Sequence, residues 1–248
     1  MQTICLLFAA GFAAGVMNAV AGGGSFVSFP ALIMAGVPSV EANASSTVAL
    51  LPGSLASSWT FRRGLRGFGG VGLRSLLAVS VAGGLAGAAL LLATPQRTFD
   101  AVIPWLLLLA TLSFAFGRDA GTALRSRVRI GRRPVLVVQF LLAVYGGYFG
   151  GAVGIMMMAA WHLLDGVDLK AITPARTLIV SATNAVAVAA FIALGAVWWR
   201  ETLVMVAAST LGGFAGAHLT LRLDARVLRA VILAITATMT VAFFLRTR

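Results

Sequence analysis

The sequence predicts an all-α polytopic membrane protein, and three observations lead there. Of 248 residues only 10% are charged while 60% are hydrophobic, which is too little polarity to clothe a water-soluble domain of this size. The apolar residues gather in about eight stretches of the length a helix needs to cross a hydrocarbon core of roughly 30 Å. The order of these stretches repeats halfway along the chain, and each half opens on a long segment interrupted by glycines. A soluble globular enzyme is thereby excluded. The net charge of +12 reads as cytoplasmic-side anchoring rather than nucleic-acid binding, which would need a basic face on an otherwise polar surface.

The first stretch, 3–37, is too long for one straight span and is broken at Gly22, Gly23 and Gly24. Ala19-Val20-Ala21 resembles a signal-peptidase site, but no Lys or Arg occurs in the first 15 residues, so retention of the segment is expected. Spans follow at 40–60, 74–93 and 101–117. A basic stretch, 118–133, divides two transmembrane repeats, 1–117 and 134–248. The second repeat opens with 134–164, broken by Gly146-Gly147, Gly150-Gly151 and Gly154, and continues through 171–199, 202–219 and 227–245. Trp161, Trp198 and Trp199 read as interfacial belt residues. The one cysteine, Cys5, permits no intrachain disulfide.

A shift of 130 residues aligns Gly24 with Gly154, Thr47 with Thr177 and Phe61 with Phe191. A shift of 129 lays the run 83–88 (GGLAGA) on 212–217 (GGFAGA), and Arg97 on Arg226. Two similar halves, each beginning with a broken helix, are the pattern of a transporter whose site lies between repeats near the bilayer midplane. The basic connections at 62–74 and 118–133 lie on one side, which the positive-inside rule makes cytoplasmic. If the broken segments cross completely the repeats are parallel; if they turn back they are inverted. Turning back places more of the 19 basic residues inside, and inverted repeats are favoured on that ground.

The run 15–24 (GVMNAVAGGG), followed by Phe29-Pro30-Ala31-Leu32 and then Glu41 to Ser46, resembles the first repeat of the TauE/SafE family of membrane permeases. The run 145–154 (YGGYFGGAVG) is similar to the family's second glycine motif, with departures at Ala152, Val153 and Ile155, and with Ala160 where Pro30 has its counterpart. The resemblance implies a multi-pass protein of the cell (inner) membrane that moves sulfite, sulfonates or related small organic anions. It does not specify the substrate.

Polar side chains concentrate in the first, second, fifth and sixth stretches, and polar groups are costly in lipid, so those four should wall a cavity while the other four form a scaffold. The expected substrate-binding set is Asn18, Gly22, Gly23, Gly24, Ser25, Asn43, Ser46, Thr47, Tyr148, Gly151, Gly154, Arg176, Thr177 and Asn184. A helix restarting after Gly24, with Ser25 as N-cap, would aim free N–H groups at an oxyanion. The competing reading, in which glycines serve close helix packing, is preferred for 83–88 and 212–217. Arg176, at the place equivalent to Ser46, offers the forked donors a sulfonate or sulfite would accept; its alternative is a side chain snorkelling to the interface. All seven acids fall in connections or at segment ends, which argues against a cation carrier. His162 and His218 read as packing residues, and with one cysteine they make no metal site. Neither cofactor nor catalytic residue is expected. The partners are a small anion and the lipid bilayer, with no nucleic acid; a homo-oligomer is left open. An anion channel built on the same residues is one alternative, and an intramembrane hydrolase using Ser25 with His162 or His218 is a remote one.

Overall fold

The computed structural model describes residues 2–21, 23–60, 62, 65–67, 70–124, 132–151, 153–154, 156–157, 160–161, 169–220 and 225–246. Within these, α1 (Gln2–Ala21) and α2 (Ser25–Met34) are separated by the glycine run, and α3 (Ser39–Thr60), α4 (Leu73–Ala93) and α5 (Gln96–Leu124) complete the first half. The second half contains α6 (Arg132–Tyr148), helical backbone at 153–161 where it is described, α7 (Leu169–Ala193), α8 (Trp199–Thr220) and α9 (Ala225–Arg246). Three helical stretches are long and apolar enough to span a membrane by length and composition: Gln2–Ala19, Leu73–Ala93 and Thr173–Ala193.

Helix boundaries correct the sequence reading in two places. The stretch expected at 171–199 stops at Ala193, because Gly195 takes φ +70° and the Ala196 N–H closes back on the Phe191 carbonyl at 2.9 Å. Only glycine enters that left-handed region cheaply, and it ends a helix by capping its last carbonyls. The first seven residues of the expected linker, 118–124, continue α5, and 132–133 open α6. Residues 125–131 of the linker lie outside the described residues.

Both glycine-broken segments turn back on themselves. Gly24 packs against Ala14 and Asn18 of α1, residues that a continuous helix would hold about 9–15 Å away. In the second hairpin, Trp161 Nε1 donates to Gln139 Oε1 at 2.8 Å across 22 residues, which an unbroken helix would separate by about 33 Å. Gln139 Nε2 in turn donates to Ser80 Oγ of α4 at 2.8 Å. Trp161 is therefore fully buried (0% exposed) rather than an interfacial belt residue: a single buried glutamine satisfies its indole N–H.

In lipid there is no hydrophobic force between helices, so close packing through small residues holds them together. The long arm α1 runs beside α8, and α6 runs beside α4. A methyl group placed on Gly87 or Gly147 would overlap the backbone of the facing helix, and so would one on Gly15 or Gly212. Gly83, Gly84 and Gly87 of the first run, and Gly212 and Gly216 of the second, are thus packing residues at helix contacts, while Gly213 faces open space. The surface is the reverse of a soluble protein's: Leu90, Trp105, Phe116, Leu211 and Phe214 point outward, while Ser28, Asn43, Ser45, Ser46 and Gln139 are buried.

Two pairs of helices, one member from each half of the chain, cross in opposite directions. Between α5 and α9, Trp105 meets Phe244 and Thr111 Oγ1 lies 3.1 Å from Thr240 Oγ1, so one index rises as the other falls. Between α3 and α7, Ser58 Oγ donates to the Thr177 carbonyl at 3.1 Å, and Ser181 Oγ donates to the Ser54 carbonyl at 2.9 Å.

Candidate functional site

Where α3 and α7 cross, beside the tips of both hairpins, lies a cavity of about 90 Å³. Its described lining comes from α1 (Asn18, Ala19), the start of α2 (Ser25), α3 (Thr47, Leu50, Ser54, Ser57), the second hairpin (Gly150, Val153, Gly154) and α7 (Arg176, Thr177, Val180, Ser181, Asn184). These are the first, second, fifth and sixth stretches of the sequence. Thr47, Leu50 and Ser54 on α3 stand 130 residues before Thr177, Val180 and Asn184 on α7, so both halves contribute matching positions to one chamber.

Helix geometry explains the selection. Thr47, Leu50, Ser54 and Ser57 recur every three or four residues and share one face of α3. Four of the six hydroxyls also hold their own backbone: Thr47 Oγ1 donates to the Asn43 carbonyl at 2.9 Å, Ser54 Oγ to that of Leu50 at 3.2 Å, Ser57 Oγ to that of Gly53 at 2.9 Å and Thr177 Oγ1 to that of Thr173 at 2.8 Å. A hydroxyl so engaged keeps its lone pairs, and the helix can carry it at little cost. Asn18 Nδ2 reaches Ser54 Oγ at 3.5 Å, bringing the end of α1 to α3. The Arg176 stem passes Gly154, where an added methyl group would stand 4.0 Å from Cδ. Asn184 Oδ1 is buried and has no hydrogen-bond partner among the described residues, which is an expensive state for an amide oxygen.

Of the expected site residues, Asn18, Ser25, Thr47, Gly154, Arg176, Thr177 and Asn184 line this cavity. Gly23, Gly24, Asn43, Ser46, Tyr148 and Gly151 are not among its lining residues; Gly22 lies outside the described residues, as do His162, Asp165, Asp168 and the side chain of His218. Ser46 is buried (1% exposed) and bonds Ser28 Oγ at 2.6 Å, so its place facing α2 differs from that of its counterpart Arg176. Asn43 Nδ2 donates to the Tyr148 carbonyl at 2.9 Å, tying the second hairpin's tip to α3.

The expectation for Ser25 also changes. Gly24 is the N-cap of α2 and makes no side-chain cap, while Ser25 is its first helical residue. The N–H groups of Phe26, Val27 and Ser28 bond the carbonyls of Gly23 and Gly24 at 3.0–3.1 Å. The first turn is thus largely satisfied by the chain itself, and Ser25 meets the cavity as a lining residue instead. Leu50, Ser57, Gly150 and Val153 were not singled out for the site from sequence, although the spacing of Ser57 from Thr47 and Ser54 on one helix face was a usable signal.

Helices whose outer faces are apolar and whose polar side chains turn inward are those of an α-helical membrane protein. The class can be narrowed, because a model of the family described as "Sulfite exporter TauE/SafE" matches residues 7–243. The chain belongs to the TauE/SafE family. It is 28% identical over 243 residues to a "Probable membrane transporter protein" of Haemophilus influenzae, covering 97% of this chain and 94% of that one. It is also 27% identical over 235 residues to "Probable membrane transporter protein YfcA" of Escherichia coli K12, covering 94% and 87%. A third relative, "Probable membrane transporter protein ORF9" of a Sinorhizobium species, is 27% identical over 237 residues. No solved structure matches the chain.

Proposed function

We propose that the protein is a secondary permease for small anions, such as sulfite, sulfonates or related organic anions, multi-pass in the cell membrane and working by alternating exposure of the central cavity. The observation that carries this reading is the composition of the cavity. A guanidinium, two carboxamides and six hydroxyls gather there, and no acid occurs among its described lining residues. Such donors suit an oxyanion and would bind a cation poorly. The volume of about 90 Å³ is far below the roughly 300 Å³ at which drug-sized ligands begin to fit, so the substrate is a small ion.

Inverted repeats, 1–117 and 134–248, supply the mechanism. Equivalent helices of two parallel repeats would run the same way, whereas α5 and α9 cross in opposite directions, as do α3 and α7. The turned-back hairpins support the same topology, as does the larger share of basic residues it places inside. Rocking one repeat against the other around a fixed site then exposes the anion alternately to each side.

The test is flux in liposomes. Purified protein should carry sulfite or methanesulfonate, Arg176→Ala should reduce that flux at least tenfold, and Arg176→Lys should recover part of it. Undiminished flux in Arg176→Ala would remove the guanidinium from the site. Counterflow of labelled substrate separates a carrier, which shows trans-stimulation, from a channel on the same residues, which does not.

A further inference from the structure

A second, larger recess of about 590 Å³ lies where α2 ends and α3 and α5 begin, with Val37, Ser39, Gln96, Arg97 and Asp100 in its wall. It sits at the opposite end of α3 from the basic connection that begins at Arg62, and therefore on the outer side under the positive-inside rule. One face of α3 links it to the central cavity. Ser39 lines the recess, Asn43 holds the Tyr148 carbonyl, and Thr47, Ser54 and Ser57 line the cavity. At 100° per residue these five positions fall within an arc of about 80°, so polar side chains recur along one face of the helix from one chamber to the other, interrupted at Leu50.

A cluster of aromatic rings connects the wall of the recess to the tip of the second hairpin. Phe29 of α2 stacks on Phe243 of α9 at 5.7 Å and meets Phe149 edge-on at 5.9 Å and Phe99 of α5 at 6.4 Å. Tyr148 closes on Phe99 at 5.6 Å. Phe243 faces the recess, whereas Gly150, next to Phe149 in the chain, faces the cavity. The tip of the second hairpin thus belongs to both the plug and the cavity wall. Gly150 has φ +74°, a turn that lets the chain pass from one role to the other within a single residue.

We propose that the recess is the outer vestibule of the anion path and that the tip residues Tyr148 and Phe149 are the gate between vestibule and cavity. Asn43 acts as a positioning residue that latches the gate through the Tyr148 carbonyl. The vestibule passes the same class of small hydrated anion, with Ser39, Gln96 and Arg97 facing it and Arg97 offsetting the charge of Asp100 in the same wall, and the proposal rests on the reading of the central cavity as a transport site. Substrate passing outward must displace the tip, and the cost of opening is the loss of the Asn43 bond and the ring contacts.

Thiol accessibility tests it. In a Cys5→Ser background, single cysteines are placed in the cavity (Thr47→Cys), in the vestibule (Ala101→Cys) and in a separate buried cluster (Leu76→Cys). Right-side-out vesicles are then treated with an impermeant anionic methanethiosulfonate. With the gate intact, Ala101→Cys should react at least tenfold faster than Thr47→Cys. Adding Asn43→Ala, or the gentler Phe149→Leu, should raise the Thr47→Cys rate at least tenfold while Leu76→Cys stays unreactive. A Thr47→Cys rate that neither change alters overturns the gate. So does a rise matched at Leu76→Cys, since unfolding then explains it. Labelling needs no substrate, so absence of sulfite flux in liposomes would count against the transport reading while leaving the accessibility result intact.

Discussion

Adjacent glycines on α8 should respond in opposite ways to the same substitution. A methyl group on Gly213 meets nothing within 4 Å, whereas one on Gly212 would stand 2.8 Å from the Phe12 carbonyl carbon and 3.0 Å from its Cα. Replacing Gly by Ala inside a helix removes backbone freedom from the unfolded chain and is worth about 0.5–1 kcal/mol. Gly213→Ala should therefore stabilise by about that much. At Gly212 the same gain is opposed by overpacking against a backbone that cannot rotate away. The Phe12 carbonyl oxygen stands closer still, so α1 must retreat by more than the 0.6 Å that would bring the carbonyl carbon to the 3.4 Å of ordinary contact. Overpacking of this kind costs about 1–3 kcal/mol, which leaves a net loss of up to about 2.5 kcal/mol. For a chain of this length 1 kcal/mol moves the midpoint by about 2–4 °C, so the two variants should straddle the wild type, with Gly212→Ala several degrees below and Gly213→Ala slightly above. Tryptophan fluorescence of detergent-purified protein during heating reads this directly. Midpoints that move in the same direction would refute the described contact between α1 and α8.

Gln139→Leu should lower stability by about 1–3 kcal/mol, because it removes two buried bonds, to Ser80 and to Trp161, that pin the second hairpin to α4; the same thermal scan measures it. Asn184→Leu should leave the midpoint within about 0.5 kcal/mol of wild type or raise it, since the buried Oδ1 has no bond to lose. Its anion-induced thermal shift should nevertheless disappear, separating stability from binding at one position. Gly150→Ala should cost about 1–2 kcal/mol for its left-handed backbone and place a methyl group 3.2 Å from Thr47 Oγ1, so liposome flux should fall together with the melting temperature.

The segregation of polar residues was legible in the sequence, because a serine or asparagine in lipid has to face inward. So was the break at Gly22 to Gly24, since three consecutive glycines are poor helix formers. The packing role within 83–88 and 212–217 followed from glycines three or four apart, although Gly213 takes no part in it. Partners distant in the chain were not legible. Nothing local to Trp161 says that Gln139 waits across the hairpin, and nothing local to Ser46 says that Ser28 will engage it while Arg176, its counterpart, reaches the cavity. Asn43 and Tyr148 were singled out for their polarity, and the structure shows them bonded to each other instead of lining the cavity. The end of α7 was misjudged because apolar residues continue to Trp199, and the stop depends on the backbone angle of Gly195.

Thr111 and Thr240 occupy the same position in the two halves and hydrogen-bond to each other. If the halves descend from one unit inserted in both orientations, that position once had to complement itself, and a hydroxyl, which can both give and receive a proton, is among the few side chains able to do so. Fusion into a single chain lifts the constraint wherever a residue no longer meets its own copy. On that history Ser46 and Arg176 stand at such a place, one a small hydroxyl bonded to Ser28 and the other a cation in the cavity wall.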